Sequence, residues 1–377
     1  MTGLHATRIL AACSPGEVRV AAMRDGAMLD YAVWRPGRPD GVGDVLRGRA
    51  AARVPAMAGV FVVLPGGPDG FLPDSDGGAG LTDGMAVGVR VTRAAQGGKG
   101  PRLTVAGVPP ALPGPPVLLS RGPGGVERLA ALHPDAPVMT DDPALVAQLR
   151  SALGDRILAG PVLDDALLGL IDVLAGPHVA LPGGARASIH PTPALVAIDV
   201  DAGGATADRR AKPAAQMAAN LAALPGIARH IRLRNLSGAI LVDVAGMSLR
   251  RRPALAPAFH AALQDDPLRP RFLGFTALGL AEIMRPRVHP PLHELLHGPH
   301  AAGLLALRAI MQAAAAEPSA AFALRCAPAV AAALADDPLA LPDLARRTGR
   351  PLIVQPDPGL SGAAWTAAWI IERTARA

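Results

Sequence analysis

The chain has 377 residues, with 37 Lys and Arg against 31 Asp and Glu, half of it apolar and only 2 cysteines. A chain of that length can bury a core without disulfides or a structural metal, so two to four compact modules are expected, with Cys13 and Cys326 as free thiols. No run reaches the roughly 18 uninterrupted apolar residues of a membrane span, residues 1–14 hold no signal-peptide core, and the cytoplasm is the expected compartment. Lysine occurs only at Lys99 and Lys212, so the basic balance reflects arginine-rich composition as much as a nucleic-acid partner. Gly and Pro make about a fifth of the chain, which predicts many turns but not disorder.

In chain order, Arg8 to Ala12 and Val18 to Ala22 read as β-runs split by a Pro-Gly turn, and Pro36 to Asp44 as a connection. Short apolar runs follow at close spacing: Leu46 to Val54, Gly59 to Leu64, Gly70 to Leu72, Ala86 to Thr92 and Arg102 to Val105. That spacing predicts a small antiparallel barrel. Residues 106–125, dominated by Pro and Gly, read as a linker. Gly125 to Val179 reads as helices around a short strand at Ala136 to Met139. Strands at Ala194 to Val200 and Gly238 to Val244 alternate with helices at Ala214 to Leu224 and Ala254 to Leu263, which predicts a mixed sheet covered on both faces. Residues 301–377 read as two helices and a short strand at Leu352 to Val354, and the chain has no internal repeat.

Asp199 and Asp201 close the first of those apolar strands, and period-two alternation puts both carboxylates on one face. Asp243 closes the second strand in the same way. If the strands are neighbours, three carboxylates converge at one sheet edge, a hard-oxygen site of the kind Mg²⁺ prefers. Such an ion can polarise a phosphodiester and activate water. Acids at strand ends also cap loops or meet arginines, and spacing alone leaves both readings open.

The stretch Leu195-Val196-Ala197-Ile198-Asp199-Val200-Asp201-Ala202-Gly203 resembles the metal-site strand of the ribonuclease E/G family, usually Ala-Ile-Asp-Val-Asn-x-Gly. Further similar segments follow in register: Asn220 to Ala223, Ile227 to Leu236, Gly238 to Asp243 and Leu278 to Arg287. Leu181 to Gly184 resembles the lead into the family's catalytic domain, and Gly349 to Leu352 with Asp357-Pro358 its small C-terminal domain. The resemblance implies Mg²⁺-dependent endonucleolytic hydrolysis of single-stranded RNA in RNA processing or decay, leaving 5′-phosphate and 3′-hydroxyl ends, with Mn²⁺ as a substitute ion. By position it implies that Asp199 and Asp243 hold the metal, while Asp201 stands where the family has an orienting Asn. A supporting Asp three residues after the second ligand is replaced by Gly246.

The same resemblance implies an α/β multidomain fold. Residues 1–44 and 106–180 would form a reduced RNase H-like scaffold, 45–105 an inserted OB-fold RNA-binding barrel, 181–288 a DNase I-like α/β catalytic domain, and 289–377 a small C-terminal α/β domain. Phe61 and Phe71 would stack bases and Lys99, in Gly97-Gly98-Lys99-Gly100, would meet a phosphate. Core packing and a solvated turn are the plainer readings of those residues. Region 106–180 lacks a counterpart of the family's 5′-monophosphate sensor, so no 5′-end preference is expected. The family's zinc-linking cysteines are missing after Arg287, so a structural Zn²⁺ is not expected and any homodimer would lack that link.

His289, His293, His297 and His300 stand in their place. His293-Glu294-Leu295-Leu296-His297 fits the His-Glu-x-x-His pattern of zinc proteases, although Pro290-Pro291 and Gly298-Pro299 leave it less than two helical turns. His297 and His300 could instead form a substitute metal site, or all four could be solvated or packed. Arg232 and Arg234, with Arg229 and Arg250 to Arg252, are candidates for RNA phosphates or plain surface charge. The expected activity is an endoribonuclease, and the alternative is an RNA-binding protein that kept this fold and lost catalysis.

Overall fold

The computed structural model describes residues 6–107, 114–162, 165–203, 212–361 and 364–374. They fall into two units, one formed by the chain up to Pro39, Gly125–Arg285 and the chain from Pro291, the other by Asp40–Gly124 and Pro286–Pro290. None of the described helices is long and apolar enough to cross a membrane.

The first unit begins with an antiparallel meander, β1 (Arg8–Ser14), β2 (Glu17–Arg24) and β3 (Ala27–Trp34). The second unit then supplies β4 (Val45–Val54), β5 (Gly59–Val63), β6 (Gly70–Pro73), β7 (Ala86–Arg93), β8 (Arg102–Val105) and β9 (Val117–Ser120). Five of these strands close in the order β4-β5-β6-β8-β7 and back to β4, with only β6 and β8 parallel. Closure is made possible by β4, which pairs with β7 through its first half and β5 through its second, across a bulge between Ala50 and Arg53. Alternate residues point inward, among them Leu46, Val60, Val62, Leu72, Val89 and Leu103. The segment expected to be a linker carries β9, which hydrogen-bonds β4; residues 108–113 of that segment lie outside the described residues.

Back in the first unit come α1 (Gly125–Leu132), β10 (Val138–Thr140), α2 (Pro143–Leu153), β11 (Ile157–Ala159) and α3 (Asp165–Ala175). β10 and β11 join β1 in parallel and give the order β11-β10-β1-β2-β3. A six-stranded sheet follows, made of β12 (His178–Ala180), β13 (Arg186–Pro191), β14 (Val196–Asp201), β15 (Gly238–Asp243), β16 (Arg271–Phe275) and β17 (Ala281–Arg285). Its order is β12-β13-β14-β15-β17-β16, and its one parallel pair, β14 and β15, is joined through α4 (Lys212–Leu233), while α5 (Ala256–Leu263) lies between β15 and β16 in the chain. Helix α4 runs well past the expected end at Leu224 and through Pro225, because Leu224, Ile227 and Ile231 continue one apolar stripe into the core.

Val196, Ile198 and Val200 of β14 and Ile240 and Val242 of β15 are buried with Ile231 and Phe259, whereas Ala197, Asp199 and Asp201 are exposed. Helices therefore cover one face of this sheet and leave the other open, which corrects the expectation of two covered faces. The unit ends with α6 (Leu292–Leu295), α7 (Pro299–Ala316), β18 (Ala321–Cys326), α8 (Pro328–Ala335), α9 (Ala340–Thr348), β19 (Ile353–Pro356) and β20 (Trp369–Thr374). β18 lies between β19 and β20, and neither β18 nor β20 was expected. Cys13 and Cys326 are buried and free.

One buried charge makes the first unit acid-sensitive. Glu17, at the start of β2, accepts hydrogen bonds of 3.0 Å from Arg19, Arg35 and Arg308. Burial by itself raises this carboxyl, but the three guanidiniums override it and hold the group at about 2, against an ordinary 4.5. Because the folded value is depressed, the stabilisation is complete above about pH 4.5 and disappears as pH falls towards 2. It amounts to roughly 3 kcal/mol at about 1.36 kcal/mol per unit. Glu17→Gln should flatten the stability profile across that window in urea denaturation followed from pH 6 to pH 2.

Candidate active site

Asp199 and Asp243 occupy one register step of the parallel pair β14 and β15, which places them on neighbouring strands about 4.8 Å apart, both on the open face. The buried valines and isoleucines on the opposite face fix this outcome, since a slip of one residue would turn the acids into the core. Asp201 shares the face but stands two residues further on, and its Oδ1 accepts from the amide of Gly203 at 3.0 Å. The expected three-acid convergence is thus a two-acid pair with Asp201 beside it capping its own loop. Among the described residues, no group of three or more His, Cys, Asp or Glu side chains is gathered to hold a metal.

The surroundings of Asp243 are built with care for its position. Arg252 Nη1 donates to Asp243 Oδ1 at 2.8 Å and to the Gly279 carbonyl at 2.8 Å, while its Nε donates to the Met247 carbonyl. Arg252 is 12% exposed and Asp243 47%, so the guanidinium is fixed from behind while half of the carboxylate faces solvent. Buried Asn220 of α4 holds the following loop, its Oδ1 accepting from the Ala245 amide and its Nδ2 donating to the Ala245 carbonyl, both at 2.9 Å. Gly246 takes φ 62°, and a Cβ there would lie 2.9 Å from Gln216 Nε2. The acid missing at this position therefore could not be restored without moving Gln216. Two carboxylates side by side, one partly neutralised, form an acceptor pair suited to a hard cation with water and phosphate oxygens completing its shell.

The other expected residues are placed as follows. Arg232 pairs with Asp30 at 3.0 Å and donates to the Leu29 carbonyl, tying α4 to β3. Arg234 donates to the carbonyls of Gly176 and Val173, and burial pulls its guanidinium down to about 10. Both are internal fasteners, which corrects their expected place on RNA phosphates. The histidines do not meet around a metal either. His300 is hydrogen-bonded to Asp337 at 2.9 Å, His297 Nδ1 lies 2.7 Å from the His293 carbonyl, and His289 is 2.6 Å from Asp40. Helix α6 covers only Leu292–Leu295, so the protease-like pattern does not lie along one helix face, and the two histidines proposed for a substitute site have separate partners, His297 the His293 carbonyl and His300 the Asp337 carboxylate.

In the second unit, taken by itself, Phe61 and Phe71 are register partners on β5 and β6, with ring centroids 5.6 Å apart edge to face. Their chain neighbours Val60, Val62 and Leu72 fill the barrel interior, so the two half-buried rings sit on its outside. Lys99 is exposed at the end of a tight hairpin whose backbone bonds join it to Gln96. Sequence reasoning gave no role to Asn220 and did not distinguish Arg252 from its arginine neighbours. A buried-position Asn within the register of similar segments was the available signal for the first, and none existed for the second.

The first unit thus carries a mixed α/β sheet that presents paired strand-end carboxylates, and the second is a closed barrel with external aromatics. Residues 167–288 match the sequence model of the Ribonuclease E/G family. Ribonuclease E of Nostoc sp. is 39% identical over 120 residues, which are 32% of this chain and 17% of the relative. Ribonuclease E of Escherichia coli is 35% identical over 121 residues, 32% of this chain and 11% of the relative. Ribonuclease G of Escherichia coli is 31% identical over 119 residues, 31% of this chain and 24% of the relative. The matched stretch spans between 11% and 24% of these relatives' own length.

Proposed function

We propose that the protein is an endoribonuclease that hydrolyses single-stranded RNA at Asp199 and Asp243 with a bound Mg²⁺. The observation that carries this reading is the in-register pairing of those two acids on parallel strands within the family-matched segment. Their oxygens fit the hard-cation chemistry, and the half-exposed Asp243 leaves room for phosphate oxygens and water. When bound, the ion would polarise the phosphodiester and lower the pKa of an attacking water. Asp199 and Asp243 hold their oxygens towards that position, Arg252 keeps the Asp243 carboxylate oriented, and Asn220 keeps the loop behind it closed. Asp201 is a supporting acceptor at the same edge.

The barrel is proposed as an OB-type RNA-binding domain, supported by its closed five-strand order and by Phe61, Phe71 and Lys99 on its surface. Each stacked base contributes about 1–3 kcal/mol on such platforms. The β11-β10-β1-β2-β3 sheet, with its antiparallel and parallel halves, supports the RNase H-like scaffold. The lack of a counterpart of the 5′-monophosphate sensor in 106–180 supports cleavage without 5′-end preference. A second reading, RNA binding without catalysis, draws on one observation: Arg252 already engages one oxygen of Asp243. Purified protein with a 5′-labelled, A/U-rich single-stranded RNA is expected to cut it with Mg²⁺ and not with EDTA. RNA bound but uncut under both conditions would replace the nuclease reading by the second.

A further inference from the structure

The pair of acids is one end of a longer row. His178 on β12 is in register with Ser188 on β13, Ser188 with Asp199 on β14, and Asp199 with Asp243 on β15. Four consecutive strands of one sheet therefore present His, Ser, Asp and Asp side by side on the open face, where His178 and Asp199 are exposed. His178 Nδ1 lies 3.0 Å from Ser188 Oγ. Two strand spacings, about 10 Å, separate this pair from the pair of acids.

The chemistry of the pair is that of a donor site in either tautomer. If Nδ1 accepts from the Ser188 hydroxyl, the His178 ring keeps an outward Nε2–H; if Nδ1–H donates to the serine, the Ser188 hydroxyl proton is left for another acceptor. The two ends of the row are thus complementary in role. Adjacent carboxylates repel a phosphodiester unless a cation intervenes, whereas neutral N–H and O–H donors accept one directly. A strand of RNA laid across the open face would meet acceptors for a cation at one end and donors for a phosphate at the other.

We propose that His178 and Ser188 form a phosphodiester-binding subsite that holds the RNA backbone one or two linkages from the bond cut at Asp199 and Asp243. The inference rests on the nuclease reading above and adds to it the direction in which the strand leaves the acids, towards β12. His178 and Ser188 are positioning residues: they hold substrate by its backbone, carry no base preference and take no part in bond breaking.

The test uses the full chain, a short single-stranded RNA with one cut site, and a set of the same RNA carrying a single uncharged methylphosphonate at each successive linkage. His178→Ala and Ser188→Ala are expected to raise KM about tenfold at unchanged kcat, the loss of one hydrogen bond to a charged group. His178→Gln, which keeps a donor, should recover most of that loss. In the wild type, one methylphosphonate position on one side of the cut should raise KM by a similar factor, and the double alanine variant should be insensitive to it. Wild-type KM in both alanine variants, with cleavage still dependent on Asp243, would overturn the subsite alone. Absence of Asp243-dependent cleavage by the wild type would overturn the nuclease reading, and the subsite with it. A fall in kcat without a change in KM would also refute the assignment, since a backbone contact remote from the bond cut acts through binding.

Discussion

Asp243→Asn and Asp199→Asn should each lower the single-turnover rate of RNA cleavage by on the order of a thousandfold or more while leaving the thermal melt close to that of the wild type. The size of the effect follows from placement. Each acid contributes an anionic oxygen to the in-register pair, and the carboxylate on the same face two residues on, Asp201, is engaged with the amide of its own loop at Gly203. The amide is nearly isosteric but neutral, so it keeps shape and loses the charge that a divalent ion requires. The modest effect on stability follows from exposure: both side chains project from the open face, and the core beneath is built from Val196, Ile198, Ile240 and Val242. Asp243→Asn removes the ion pair to Arg252, but that guanidinium keeps the carbonyls of Met247 and Gly279. Retention of near wild-type cleavage by either variant, with Mg²⁺ present, would remove these acids from the mechanism.

The largest effect on stability is expected from Arg285→Ala. Arg285 ends β17 at 3% exposure and donates to Asp266, itself 5% exposed, at 2.7 Å from Nε and 3.3 Å from Nη2. Its Nη1 donates to the Asn235 side chain at 2.7 Å and to the Leu236 carbonyl at 3.1 Å. One guanidinium therefore joins the end of β17, the turn before β15 and the loop after α5. Removing it strands a buried carboxylate, which costs about 3–5 kcal/mol. Urea denaturation should show the midpoint falling accordingly. The double variant Arg285→Met with Asp266→Leu should recover much of the loss, because buried pairs exchanged for apolar groups of similar size are often neutral. A single variant as stable as the wild type would show that the pair contributes nothing.

What could be read in the sequence was mostly what depends on local period. The runs at Leu46 to Val54 and Ala86 to Thr92, bounded by turn residues, correspond to β4 and β7 almost residue for residue. Asp199 and Asp243 were visible because each directly follows an apolar strand, and an acid there has few places to go. What could not be read depends on partners distant in sequence. Nothing near Arg232 announces that Asp30, on β3, will claim it, and nothing near Arg234 announces the carbonyls of Val173 and Gly176. His178 and Ser188 acquire meaning only through the pairing of β12, β13 and β14. β18 and β20 were missed because Ala-rich and Trp-containing runs lack strong β alternation, although they pair along their whole length. The open face of the six-stranded sheet was missed for a related reason: Ala197 and Leu241 made the strands read as uniformly apolar.

The pairing of β1 with β10 sets the order in which the chain can fold as it is made. Ile9 meets Val138 and Ala11 meets Thr140, so the central strand of the first sheet waits for a partner separated from it by the whole barrel. The β1–β3 meander leaves the ribosome before the barrel, and its parallel edge stays open while β4 to β9 are synthesised. The barrel, whose closing strands all lie within one contiguous stretch, can complete itself during that interval. Closing the long loop costs little more entropy than closing a shorter one, because the dependence on length is logarithmic. An early, finished insert also removes from the nascent chain the segments most able to pair wrongly with the waiting edge.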